Sequence, residues 1–111
     1  MHPRPFADAA AIDRALAARE FLVFKHSASC GISAQAFEEY AAFAAAHPQV
    51  PTAWIDVIAH RPWSRHVAER TGVVHQSPQA LLVRDGAVVW HASHGGITRE
   101  ALERAVAGES R

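Results

Sequence analysis

The sequence predicts an α/β domain in which a four-stranded mixed sheet is covered by helices on both faces. Three observations lead there. Phe21-Leu22-Val23-Phe24 is an unbroken apolar run, the pattern of a strand buried on both faces rather than one. Helical patterns alternate with the first three strand-like runs, so the chain must cross over the sheet between strands. Asp85-Gly86 then separates two further apolar runs, which is a strong signal for a tight hairpin and an antiparallel pair. A length of 111 residues suits one core, and residues 1–111 are expected to form a single domain without linker, repeat or low-complexity segment.

The elements follow in order. Asp8 to Arg19 reads as a short helix, capped by Asp8, with Ile12 and Leu16 four apart on one face. The strand Phe21–Phe24 ends at Lys25. After a polar turn, a helix is expected from about Gly31 to His47, where Ile32, Ala36, Phe37, Tyr40, Phe43 and Ala44 recur at helical spacing and Pro48 follows the stop. Trp54–Ile58 is the second strand. Arg61 to Thr71 is a helix with Pro62 in its first turn and Gly72 as its stop. Residues 73–79 form a polar connector. Ala80–Val83 and Ala87–Trp90 make the hairpin, and Thr98 caps a last helix to about Ala107. Two β-α-β crossovers are expected to give parallel neighbours, with the hairpin adding an antiparallel strand.

Composition narrows the function. Eleven basic residues balance eleven acidic ones, with no basic stripe for nucleic acid or an anionic membrane. No apolar stretch is long enough to span a bilayer, and residues 1–5 are not followed by the apolar core of a signal peptide. One cysteine cannot form an intramolecular disulfide, which points to a reducing compartment, the cytoplasm. The eight histidines are scattered, and no spacing among them proposes a metal site.

The chemistry concentrates on "FKHSASCGIS", residues 24–33. Cys30 lies after a buried strand and before a helix, a place where free backbone N–H groups and the helix dipole favour the thiolate, which is the nucleophile. Lys25 and His26 are expected to add positive potential. Gly31 leaves room for the backbone or thiol adduct of a partner. Ser33, at the fourth position of Cys-x-x-Ser, can donate an O–H to the sulfur but cannot displace what it captures. The plainer alternative is a buried structural cysteine, against which the small polar neighbours Ser27, Ala28 and Ser29 count. Ser77-Pro78 precedes the third strand: either a cis peptide or an ordinary trans proline at a strand edge. His94-Gly95-Gly96 follows the fourth: either a plain turn or a backbone surface for the polar groups of a small thiol.

In these segments the chain resembles the thioredoxin-like proteins, and more closely the YtxJ-type monothiol bacilliredoxins of the bacillithiol system. Lys-His-Ser before Cys-x-Ile-Ser, Ser-Pro-Gln before a strand, and His-x-Ser-His before Ile-Thr carry the resemblance, within "FKHSASCGIS" and "AERTGVVHQSPQALLVRDGAVVWHASHGGIT" (residues 68–98). It implies a thioredoxin fold, Cys30 as nucleophile, and a cis bond before Pro78 facing it. It also implies an activity: removal of bacillithiol, a cysteine-based small thiol, from S-bacillithiolated client proteins. Bacillithiol would be a co-substrate, with no tightly bound cofactor, and its malyl carboxylates would meet Lys25 and the Gly95-Gly96 backbone. Gly31 and Gly95 stand where the family is expected to carry proline and a bulkier residue, so both open the site. Two other readings keep the fold: an iron–sulfur carrier like the monothiol glutaredoxins, whose Cys-Gly-Phe-Ser resembles Cys-Gly-Ile-Ser, and a redox-inert binding module.

Overall fold

The computed structural model describes residues 2–28 and 31–108. The helices are α1 (Ala9–Leu16), α2 (Gly31–Ala46), α3 (Arg61–Thr71) and α4 (Arg99–Val106). The strands are β1 (Glu20–His26), β2 (Thr52–Asp56), β3 (Gln79–Arg84) and β4 (Ala87–Ser93), and a single 3-10 turn, His94–Gly96, follows β4. The element order matches the sequence reading, and two of the differences at boundaries have a visible local cause. α1 stops at Leu16 instead of Arg19 because the hairpin turn claims the next carbonyls: Gly86 N–H donates to Ala18 at 3.0 Å and Asp85 N–H to Arg19 at 3.1 Å. β2 ends at Asp56, whose carboxylate accepts from Ile58 N–H at 3.0 Å and Ala59 N–H at 3.1 Å and so bends the chain out of the sheet.

The strands pair in the order β2–β1–β3–β4. β1 and β2 are parallel, whereas β3 is antiparallel to both β1 and β4. The expectation of two parallel crossovers is therefore corrected: only β1–α2–β2 is one. α3 ends at Gly72 in the left-handed conformation (φ 75°), open to glycine without a Cβ penalty. Residues 73–78 then bring the chain back to the end of the sheet at which it left β2. β3 therefore enters beside β1 in the opposite direction. At the hairpin, Asp85 (φ 51°) and Gly86 (φ 77°) both take positive φ, as the Asp-Gly pair anticipates.

Burial follows from this order. The central strands β1 and β3 are covered on both sides, which explains their unbroken apolar runs. Leu22, Phe24, Ala80 and Leu82 face α2 and α4, where they meet Tyr40, Phe43 and Leu102. Val23, Leu81 and Val83 face α1 and α3, against Ile12, Leu16 and Val67. Each helix pair is also tied by a histidine and a carboxylate: His47, just past the end of α2, to Glu103 of α4 at 2.9 Å, and His66 of α3 to Asp13 of α1 at 2.6 Å. At the outer margin of β2 the amino-terminal segment lies alongside, with Phe6 N–H donating to Trp54 O at 2.8 Å and Trp54 N–H to Arg4 O at 3.1 Å.

Leu82→Ala, at a site with no exposed surface, is expected to lower unfolding free energy by about 2–5 kcal/mol through lost burial and the cavity left behind. Asp8→Ala removes the N-cap bond to Ala11 N–H (2.8 Å) and is expected to cost only about 1 kcal/mol. Urea denaturation of the two variants checks both the values and their order.

Candidate active site

The antiparallel pairing of β1 with β3 sets Lys25 opposite Gln79. Continued beyond the strands, that register brings Ser27 level with Ser77. His94 N–H then donates to the Pro78 carbonyl at 3.1 Å, so the end of β4 is fastened to the start of β3. Three segments far apart in sequence are thereby gathered at one end of the sheet: the turn after β1, Ser77-Pro78 and His94. The Ser77–Pro78 peptide is cis, the alternative that the resemblance favoured. Cys30, with Ser29, lies outside the described residues; the chain enters α2 at the next residue, Gly31.

Ser33 is fully buried. Its Oγ accepts from Ser27 N–H at 2.9 Å and lies 2.8 Å from His26 Nδ1. The hydroxyl expected to serve the sulfur thus clamps the two residues that lead into the cysteine turn. His26 is half-buried, its ring against Phe37 (centroids 4.5 Å apart) and edge-on to Trp54 (5.5 Å). Burial lowers its pKa below the ordinary imidazole value, and the charge of nearby Asp56 partly opposes that. The positive potential expected from His26 is weakened accordingly.

Lys25 requires a larger correction. It was expected to meet ligand carboxylates, yet its side chain has no exposed surface. It points to the α1/α3 side, and Nζ lies 3.1 Å from His75 Nδ1. Burial lowers its pKa from 10.5 to about 8. His75 is lowered too, first by its own burial and then by the Lys25 charge. The protonated amine donates to Nδ1, which leaves the ring proton on Nε2. Beside Lys25, the buried Gln79 donates to the Val74 carbonyl at 3.0 Å and accepts from Gln76 N–H at 3.4 Å, holding the strand-entry loop from beneath.

Gly31 and Gly95 each leave open space where a Cβ would stand, and Gly96 would meet only Ala92 at ordinary contact distance, so the fold itself does not demand glycine there. His94 is left-handed (φ 53°) and exposed. Two of the grooves at this end of the sheet border the turn after β1 and the start of α2. One, of about 530 Å³, is lined by Ser27, Ile58, Arg61, Ser64, Arg65 and His75, together with Val57 and Ser77. The other, of about 230 Å³, lies between α2 and the 3-10 turn, with Ile32, Glu39, His94 and Gly95 among its walls. Ser27 lines the first and Ile32 the second.

Comparison with known proteins settles the lineage. A family model described as "Monothiol bacilliredoxin BrxC" matches residues 6–102. The chain belongs to the monothiol bacilliredoxin family. Bacilliredoxins of this kind are thiol–disulfide oxidoreductases, and this one carries a single cysteine. A solved protein with a thioredoxin fold, assigned provisionally as an oxidoreductase, is 28% identical, with 94% of this chain and 93% of that chain covered and a TM-score of 0.85. Mitochondrial thioredoxin 3 from Saccharomyces cerevisiae (16% identity, 96% and 94% covered, TM-score 0.71) and the thioredoxin of Fasciola hepatica (21%, 96% and 98%, 0.69) share the fold. The fold of this bacilliredoxin is thus the thioredoxin fold.

Sequence reasoning passed over Arg61, Ser64, Arg65 and His75. The first three read as an ordinary helix, although Arg61 and Arg65, four apart, stand on one face. His75 lies in a polar connector, fifty residues from the lysine it meets, and no local pattern announces such a pair.

The Lys25 environment has a measurable consequence. Between pH 8 and 10.5 the unfolded chain retains a proton on this amine that the folded chain has shed, so stability rises with pH through that window. Below it both states are protonated, and the folded state bears the cost of a buried charge. Lys25→Met is therefore expected to be more stable than the parent near pH 7 and to lose the alkaline rise; urea unfolding across the window measures both.

Proposed function

We propose that this bacilliredoxin removes bacillithiol from S-bacillithiolated proteins in the cytoplasm, with Cys30 as its nucleophile. The observation that carries the reading is the family match over residues 6–102 in a chain whose one cysteine stands immediately before α2. The positive end of that helix supports a thiolate at this position. The gathering of Ser77-Pro78 and His94 beside the preceding turn adds a docking frame for a disulfide.

Each step is thiol–disulfide exchange. Cys30 thiolate attacks the bacillithiol sulfur of the client's mixed disulfide. The client leaves as its thiolate, and Cys30 keeps the bacillithiol in a new disulfide. A second bacillithiol thiolate attacks the adduct sulfur, releasing oxidised bacillithiol and restoring Cys30 thiolate. The client sulfur is reduced, the sulfur of the incoming bacillithiol is oxidised, the transferred bacillithiol stays at the disulfide level throughout, and no bound redox cofactor enters. Ser33 offers no second thiol, so the adduct waits for an external one. Lys25, being interior, supports the Ser77-Pro78 loop through His75 instead of holding ligand. The open Gly95-Gly96 backbone, with Gly31 across the turn, leaves room for the polar groups of the client or the small thiol.

Cys30→Ser is expected to abolish release of bacillithiol from a modified client, measured by mass spectrometry of the client. Incubating the parent protein with oxidised bacillithiol should add one bacillithiol mass to the peptide containing residue 30. Exchange retained by the serine variant overturns the assignment.

A further inference from the structure

The groove beside Ser77 is built from hydrogen-bond donors around an apolar patch. Its lining holds two guanidinium groups, Arg61 and Arg65, one imidazole and three serines, with Val57 and Ile58, and no carboxylate. The nearby Asp56 turns its Oδ1 to the N–H groups of Ile58 and Ala59. Among the described residues neither arginine makes an ion pair, unlike Arg70, Arg84, Arg99 and Arg104.

The placement of these arginines opposes the stability of α3. Arg61 is its first residue and Arg65 lies one turn on, at the end where the helix dipole is positive. The first turn contains no acidic residue, and His60 makes no side-chain cap. Like charges four apart repel as well. Such a helix start is poorly arranged for its own sake but well arranged to receive an anion.

A second, independent feature points the same way. Ser64 is 3% exposed, and its Oγ has no hydrogen-bond partner among the described residues; the Oγ of Ser77 is likewise sealed and unpartnered. Buried polar atoms are nearly always bonded, so two unpartnered hydroxyls on side chains that border one groove mark a place where a polar group is missing. His75 contributes Nε2–H, because its Nδ1 accepts from Lys25.

We propose that this groove is a subsite for the paired carboxylates of a small thiol, with Arg61 and Arg65 as the carboxylate-binding residues and His75, Ser64 and Ser77 as secondary donors. The inference rests on the exchange reaction proposed above and identifies the part of the molecule that selects its small-thiol partner. Arginine forks suit carboxylates in a two-point geometry. Ser27 lies in the same groove, three residues before Cys30, so a thiol held by its acidic end would present its sulfur toward that turn.

The test compares rates of Cys30 adduct formation with three symmetric disulfides: oxidised bacillithiol, oxidised mercaptosuccinate (two carboxylates on each half) and uncharged hydroxyethyl disulfide. In each case Cys30 thiolate forms a disulfide with one half and the other half leaves as its thiolate. In Arg61→Ala/Arg65→Ala the ratio of the mercaptosuccinate rate to the hydroxyethyl rate is expected to fall about tenfold or more, the loss of charge-assisted bonds. Arg61→Lys/Arg65→Lys should recover part of it, and circular dichroism confirms that both variants are folded. A ratio unmoved by the alanine pair overturns the subsite. An arginine-dependent ratio for mercaptosuccinate in a protein that ignores oxidised bacillithiol upholds the subsite and removes bacillithiol as its occupant.

Discussion

The central constraint is the antiparallel ladder between β1 and β3. Both strands are buried on both faces, so their register cannot slip by one residue without turning every side chain to the wrong core. That register also decides what stands at the end of the sheet. With Lys25 opposite Gln79, the chain leaving β1 and the chain entering β3 run side by side, and the cysteine turn departs from the same edge at which Ser77-Pro78 arrives. Because β4 is bound to β3 and His94 to Pro78, the third segment comes into place with no further requirement. The location of the proposed site is thus a property of strand pairing, and the loops need only be short.

At this end of the sheet the core changes character. Toward the hairpin the side chains between the layers are aliphatic or aromatic; near the site they become Lys25, Gln79 and Ser33, each with essentially no exposed surface. A buried polar group is costly unless it is bonded, and all three are. Lys25 meets His75, Gln79 holds the loop at Val74 and Gln76, and Ser33 joins Ser27 to His26. None of these bonds builds the hydrophobic core. All of them fix segments that flank the turn proposed to react, as expected where a small site must stay shaped in a chain whose one cysteine can form no internal disulfide.

How much of this was legible in the sequence depended on range. The apolar strand at residues 21–24, the Asp85-Gly86 turn, the Thr98 cap and the Gly72 stop are local signals, and each reappears in the structure. The segments around Cys30, Ser77-Pro78 and His94 were recognised through motif and resemblance, and the structure joins the described parts of them. The direction of β3 was misjudged because alternation of helix and strand implies a crossover, while the reversal resides in six connecting residues without periodicity. Lys25 was taken for a surface cation because lysine usually is one; only its alternation with Val23 along a doubly covered strand pointed inward. Arg61 and Arg65 passed for a solvated helix face, since nothing local distinguishes such a face from the wall of a groove.

The amino-terminal segment beside β2 has a consequence for how the sheet ends. Arg4 and Phe6 spend their backbone groups inward on Trp54, so the outward-facing position between them belongs to Pro5. Proline has no N–H to offer. A foreign strand approaching this margin would find a donor missing where the ladder should continue, which is one of the ways natural sheets resist edge-to-edge aggregation. Closure here is achieved by ring chemistry at a single residue, and the open ladder is left to β4 at the opposite margin.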